Sequence, residues 1–116
     1  MNRKKVLLVV AICLSVIVGS VYAREGIKTV ITNRTLVTAD TEYSVDVTGG
    51  LKVMIQTREN VEVRMAYVSG RVATPTGAYW TIKANQIIWD DNVAFNGTLY
   101  FATDDAGSIV EVIVWK

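Results

Sequence analysis

The sequence has 116 residues, a length that suits one small domain, and it carries a formal net charge of +1 with no histidine. Without histidine the chain lacks the commonest general base and metal ligand, which excludes Ser-His and Cys-His nucleophile arrangements. Lysine and arginine are scattered beyond the N-terminus, so there is no basic patch for nucleic acid and we expect no such partner.

The first 23 residues have the three-part layout of a secretory signal peptide. A basic start is followed by an uncharged apolar run over residues 6–18 and by small or modest side chains up to Ala23. We therefore predict a signal peptide over residues 1–23, cleaved after Ala23, and a secreted, periplasmic or extracellular protein. The alternative is a membrane anchor through residues 6–23, because about 18 apolar residues just span a bilayer.

Removal of the predicted leader changes the chemistry of the remaining chain, residues 24–116. The only cysteine, Cys13, leaves with the leader, so disulfides and zinc sites of the usual kind are excluded. Three basic residues also leave, and nine basic against eleven acidic side chains give a net charge of about −2. A cysteine-free domain of this size must rely on sheet packing or on a partner.

Period-two alternation of apolar and polar residues begins at residue 42 and indicates β-strands. Residues 42–48 and 51–57 both alternate, and Gly49 and Gly50 lie between them, a pattern typical of a tight hairpin. Residues 61–67 continue the alternation after a second turn. We predict a three-stranded meander over these segments.

The alternation stops over residues 69–77, which contain the only proline, and we predict a loop that crosses between sheets. Upstream, residues 27–31 and 35–39 are rich in β-branched residues, with a bend at Asn33 and Arg34. Further short strands are predicted over residues 79–83, 87–89, 93–95, 98–103 and 109–115. The fold class is all-β: an antiparallel, jelly-roll-like β-sandwich or small barrel of roughly seven to nine strands in one domain, residues 24–116.

The last predicted strand, residues 109–115, is apolar on both faces except at Glu111. An exposed edge strand of this kind would promote aggregation. It must therefore be central in a sheet, covered, or used in assembly, and a central position is our preferred interpretation.

Two consecutive acidic pairs are the remaining candidates for chemistry. Paired carboxylates can support glycoside hydrolysis when they face each other across a cleft. Asp90 and Asp91, like Asp104 and Asp105, instead lie in predicted turns, where aspartate hydrogen-bonds the local backbone. We predict no catalytic residues, no cofactor and no enzyme activity, and keep Asp90, Asp91 and Asn92 as a weak calcium candidate.

The second half of the chain is rich in aromatic residues. Neighbours on a strand point to opposite faces, so Tyr79 with Trp80, and Tyr100 with Phe101, cannot all lie in one core. One residue of each pair must therefore face outward. In one interpretation, loops or another subunit cover these outward-facing residues. In the other they form an exposed platform for a sugar or a protein, with Tyr79, Trp80 and Trp89 as candidate ligand-binding residues.

Three runs of the C-terminal half follow one another in succession: YWTIKANQ at 79–86, FNGTLYF at 95–101 and DAGSIVEV at 105–112. This succession resembles small β-sandwich domains of bacteriophage virion proteins, in which similar runs close the sandwich. The resemblance implies a structural or attachment role in a particle and no enzymatic activity.

The sequence thus predicts an exported, non-enzymatic structural or interaction protein that acts through protein binding or self-assembly and is associated with a virion. One alternative is a secreted carbohydrate-binding module that uses the aromatic residues, with a glycan as partner. Another is a membrane-tethered surface protein, which requires the leader to be retained.

Overall fold

The computed structural model describes residues 26, 28–91 and 94–116. The predicted leader, its cleavage after Ala23 and the anchor alternative lie outside the described residues, as do Asn92 and Val93. Within them the chain forms eight β-strands and no helix, so no described helix could cross a membrane. The strands are β1 (Thr29–Leu36), β2 (Tyr43–Asp46), β3 (Lys52–Thr57), β4 (Val63–Ala66), β5 (Trp80–Ile82), β6 (Ile87–Asp90), β7 (Thr98–Ala102) and β8 (Ser108–Trp115).

The described strands form two four-stranded antiparallel sheets. The first sheet has the order β1-β8-β3-β6 and the second has the order β2-β7-β4-β5. Four antiparallel pairs, β1 with β8, β2 with β7, β3 with β6 and β4 with β5, run through the two sheets. The prediction of an antiparallel all-β domain is confirmed.

One hydrophobic core lies between the sheets and takes every second side chain from the strands that face it. On β8, Val110, Val112 and Val114 point inward and are buried, as period-two alternation requires. Phe101 of β7 and Leu36 of β1 are also fully buried in this core. Each such side chain contributes about 1.5–3 kcal/mol on burial. Strand β8 lies between β1 and β3, which confirms its predicted central position.

The predicted hairpin at Gly49 and Gly50 is wrong. Strand β2 pairs with β7 of the second sheet, whereas β3 pairs with β8 and β6 of the first, so the glycines carry the chain from one sheet to the other. The Gly49 N–H donates to the Phe95 carbonyl oxygen at 2.8 Å, and the Gly50 N–H donates to that of Val47 at 3.0 Å. Alternation identifies the side chains that face a core but does not identify the sheet, and here both strands face the same core. The meander is therefore wrong as well.

Two other connections differ from expectation. Residues 69–77 do form a loop, but it joins β4 to β5, which are neighbours in the second sheet, so it does not cross between sheets. The predicted bend at Asn33 and Arg34 is absent from the described chain, because both residues pair in register with Glu111 and Val110 of β8. Polar side chains are tolerated there because β1 is an edge strand.

The loop over residues 69–77 covers part of the outer face of the second sheet. Val72 is fully buried against Ala66 and Ala102, and Tyr100 packs beside them. The Arg64 guanidinium holds the loop, since its Nε donates to the Val72 carbonyl oxygen at 2.7 Å. Coverage by a loop, one of the two interpretations of the paired aromatics, is therefore correct for Tyr100.

Candidate functional site

The three candidate ligand-binding residues are all exposed. Tyr79 is 42% exposed, Trp80 58% and Trp89 62%. Trp80 belongs to β5 and Trp89 to β6, which are edge strands of the two sheets and are joined by a short turn at residues 83–86. The sequence therefore identified exposed aromatic residues, but it did not place them at the free edges.

Trp80 points toward the interior, but it is exposed because it lies on an edge strand. Trp80 pairs with Met65, which is buried in the core, so both side chains lie on the same side of the second sheet. Trp80 lies on the edge strand β5, and no further described strand covers it. Trp89 pairs with Met54 on the outer face of the first sheet.

Three adjoining depressions among the described residues meet at Tyr67 and together form what we call the edge groove. The central one, about 270 Å³, is lined by Met65, Tyr67, Trp80, Ile88, Trp89 and Asp90. A second, about 320 Å³, continues from Tyr67 and Asp90 to residues 94–98 and Val47. A third, about 210 Å³, continues past Trp80 to Tyr79. The three depressions together extend from residues 94–98 past Tyr67 to Tyr79, an arrangement that suits an extended ligand.

A polar pair lies at the middle of the edge groove. The Tyr67 hydroxyl donates to Oδ2 of Asp90. Burial, and then the adjacent Asp90 carboxylate, raise the pKa of Tyr67 above its usual range. Tyr67 is therefore a neutral hydrogen-bond donor at every physiological pH. The sequence assigned Tyr67 to the apolar face of a strand, but the strand β4 ends at Ala66, and no local sequence signal indicated the hydrogen bond to Asp90.

Two of the three residues of the calcium candidate are described, and they have different surroundings. Asp90 accepts the Tyr67 hydroxyl, whereas Asp91 is exposed. Asn92 lies outside the described residues. Among the described residues, no group of three or more His, Cys, Asp or Glu side chains could hold a metal ion. The calcium site stays a prediction.

The second acidic pair, Asp104 and Asp105, lies in the turn between β7 and β8. The Asp105 N–H donates to Oγ1 of Thr103 at 3.2 Å, and the Ser108 hydroxyl donates to the Asp105 carbonyl oxygen at 2.8 Å. The backbone of Asp105 thus closes the turn, whereas the aspartate side chains were the groups expected to do so.

A second surface crosses the outer face of the first sheet. The register places Ile31 of β1, Ile113 of β8, Met54 of β3 and Trp89 of β6 side by side across the four strands. We call these four residues the apolar row. Ile31 is 66% exposed and Trp89 62%, while Met54 and Ile113 are half-buried. The apolar row is therefore open to solvent at both ends.

Charged side chains flank the apolar row on both sides. On one side, Lys52 Nζ lies 4.3 Å from the centre of the Trp89 ring and 5.4 Å from that of Trp115. On the other side, Glu111 pairs with Arg58 at 3.3 Å and accepts a hydrogen bond from Gln56. One flank thus carries an ammonium group, and the other carries the ion pair of Glu111 with Arg58.

Comparison with known proteins yields no relative on which a function could be based. No protein-family model matches the sequence, and no curated protein or solved structure shows significant similarity to it. The functional argument therefore rests on the edge groove and the apolar row.

Proposed function

We propose that this is an exported, non-enzymatic interaction protein that acts by self-assembly, with the apolar row as its contact surface. The carrying observation is the alignment of Ile31, Ile113, Met54 and Trp89 across the whole first sheet. Contiguous exposed apolar surface of this kind marks interaction sites on soluble proteins. Its burial gains about 25 cal/mol for each Å² removed from water.

The flanking charges favour a second copy of this chain as the partner. A two-fold axis along the apolar row would place each row residue opposite its own copy. It would also exchange the two flanks, so that Lys52 of one copy lies over the Glu111 side of the other. Each Lys52 ammonium group would then approach the Glu111 carboxylate of the other copy, beside the Arg58 side chain that already pairs with it, and this contact favours one orientation of the pair.

The strand order supports the finer assignment of a jelly roll. The strands pair as β1 with β8, β2 with β7, β3 with β6 and β4 with β5. This is the topology of a double Greek key. Jelly rolls are common in viral capsid domains and in lectins. By analogy of fold, a structural or attachment role in a virion follows as part of the proposal.

The oligomeric state tests the assembly proposal. Light scattering during size-exclusion chromatography should give at least a dimer for the wild type and a monomer for Ile31→Asp. Val37→Asp is the matched control, because Val37 is 64% exposed but lies beyond the end of β1. A monomeric wild type, or an Ile31→Asp variant with unchanged mass, would contradict the proposal. Thermal unfolding of both variants verifies that they are folded.

Export is tested separately by the mass of the purified protein's N-terminal peptide. A chain that begins at Arg24 supports cleavage after Ala23 and release. A chain that retains residues 1–23 supports the alternative of a membrane-tethered surface protein.

A further inference from the structure

We propose that the edge groove is a binding site for a neutral oligosaccharide. This inference goes beyond the self-assembly proposed above, and its site shares one residue, Trp89, with the apolar row. The site is built from Trp80 and Trp89, which supply the stacking surfaces, and from Tyr67 and Asp90, which supply the polar contacts.

The aromatic residues match the apolar faces of sugar rings. Trp80 is 58% exposed and Trp89 62%, and both line the central depression with Tyr67. A sugar ring presents a flat face of C–H groups and an edge of hydroxyls, which is the amphipathic pattern that Trp and Tyr side chains bind. The groove continues past Trp80 to Tyr79, so stacking surfaces are available for more than one ring.

The polar pair matches the hydroxyl edges of the same rings. The Asp90 carboxylate has two oxygens, each of which can accept more than one hydrogen bond, and the Tyr67 hydroxyl oxygen can accept one while it donates to Asp90. A few well-placed polar groups in a mostly apolar groove fix the orientation of a ligand.

The charges of the groove favour a neutral ligand over an ionic one. Among the described residues that line the three depressions, Asp90 is the only charged one, so an anionic ligand would meet repulsion. Lys52 does not line the groove, but its ammonium group lies 4.3 Å from the Trp89 ring centre and would repel a cationic ligand that stacked on Trp89.

The strand lengths also disfavour an extended peptide. A peptide that adds to a sheet edge binds mainly through main-chain hydrogen bonds along the edge strand. Strand β5 has three residues and β6 has four, which offers few such bonds. Side-chain stacking is therefore the stronger interaction at this edge, and it suits a sugar.

The test is binding of the full protein, as purified, to an array of neutral linear oligosaccharides. The best glycan is then titrated by calorimetry and by tryptophan fluorescence. We expect Trp80→Ala to weaken binding at least about tenfold. Asp90→Asn should weaken it less, because the amide keeps one acceptor oxygen. Ile31→Asp lies outside the groove, and when it no longer self-associates it leaves Trp89 uncovered, so it should bind the glycan at least as tightly as the wild type does.

Several outcomes would overturn the inference. One is the absence of binding to every neutral glycan at glycan concentrations up to about 1 mM. Another is a preference for sulfated glycans, for choline or for an apolar peptide over the neutral glycans. A third is equal loss of binding in Trp80→Ala and Ile31→Asp, which would place the ligand on the apolar row. Because Ile31→Asp separates the two surfaces, failure of the saccharide site leaves the self-assembly test unaffected.

Discussion

Substitution of Gly50 by alanine probes the crossing between the two sheets. Gly50 is buried where the chain passes from the second sheet to the first. A Cβ atom at this position would lie 2.7 Å from Cγ1 of Val114 and 3.0 Å from the carbonyl oxygen of Val47. Both neighbours are constrained, since Val114 belongs to the central strand β8 and the Val47 carbonyl accepts the Gly50 N–H.

The expected cost follows from these two contacts. An atom inserted into a packed core typically costs about 1–3 kcal/mol, because side chains and backbone must shift. The Val114 methyl group has little room, since Val114 is itself 1% exposed. We expect Gly50→Ala to lower the free energy of unfolding within that range. Gly97→Ala is the matched control, because no described atom lies within 4 Å of its added Cβ, and it should stay within about 0.5 kcal/mol of the wild type.

Urea unfolding followed by tryptophan fluorescence measures the difference. A lower midpoint for Gly50→Ala than for Gly97→Ala, at equal slope, is the expected result. Equal midpoints would refute the reasoning, because they would mean that Gly50 lies in an exposed turn like that of a hairpin.

Two further substitutions test the core and one turn. Phe101→Ala empties a fully buried site between the sheets and should lower the free energy of unfolding by about 3–5 kcal/mol, measured by the same urea titration. Asp46 accepts the Thr48 N–H at 2.9 Å, and hydrogen bonds from Thr48 lower the pKa of the Asp46 carboxyl. The ionised Asp46 carboxylate therefore stabilises the fold above the pKa of an unfolded aspartate, about 4. This stabilisation is lost as the pH falls from there through the lower pKa of the folded state. In Asp46→Asn the urea midpoint should fall less on acidification than it does in the wild type. The same dependence of the midpoint on pH in both proteins would contradict a role of the Asp46 carboxylate.

The sequence was sufficient to identify most strands and their inward faces. On β3, Val53 and Ile55 alternate with Lys52 and Gln56, and that period leaves one orientation in which the two apolar side chains are buried. The turn at residues 104–107 was also predictable, because Gly107 adopts a φ of 86° that glycine permits at low cost.

Strand partners could not be obtained in the same way. Val45 and Val53 both face the core, and alternation is the same whether their strands pair or lie in opposite sheets. Gly49 and Gly50 suit a hairpin and a sheet crossing equally. The contacts that distinguish them, with Phe95 and Val114, come from segments more than 40 residues later in the chain.

The candidate site was predictable only in part, for the same physical reason. Exposure of Trp80 and Trp89 follows from their place on edge strands, which the strand order determines. The hydrogen bond from Tyr67 to Asp90 joins residues 23 positions apart, and the local sequence of neither residue indicates the other as its partner. The apolar row likewise combines residues of four strands and has no counterpart in any single segment.

Cross-linking through Met54 tests the central claim, that the apolar row is the interface between two copies, most directly. With a two-fold axis along the row, Met54 of each copy faces its own counterpart, so Met54→Cys in a Cys13→Ala background should give a covalent dimer with a short bismaleimide. Thr81→Cys is the control, because Thr81 is also half-buried but pairs with Arg64 on the outer face of the second sheet. We expect a dimer from Met54→Cys and none from Thr81→Cys. Equal cross-linking of the two variants, or none in either, would contradict the account.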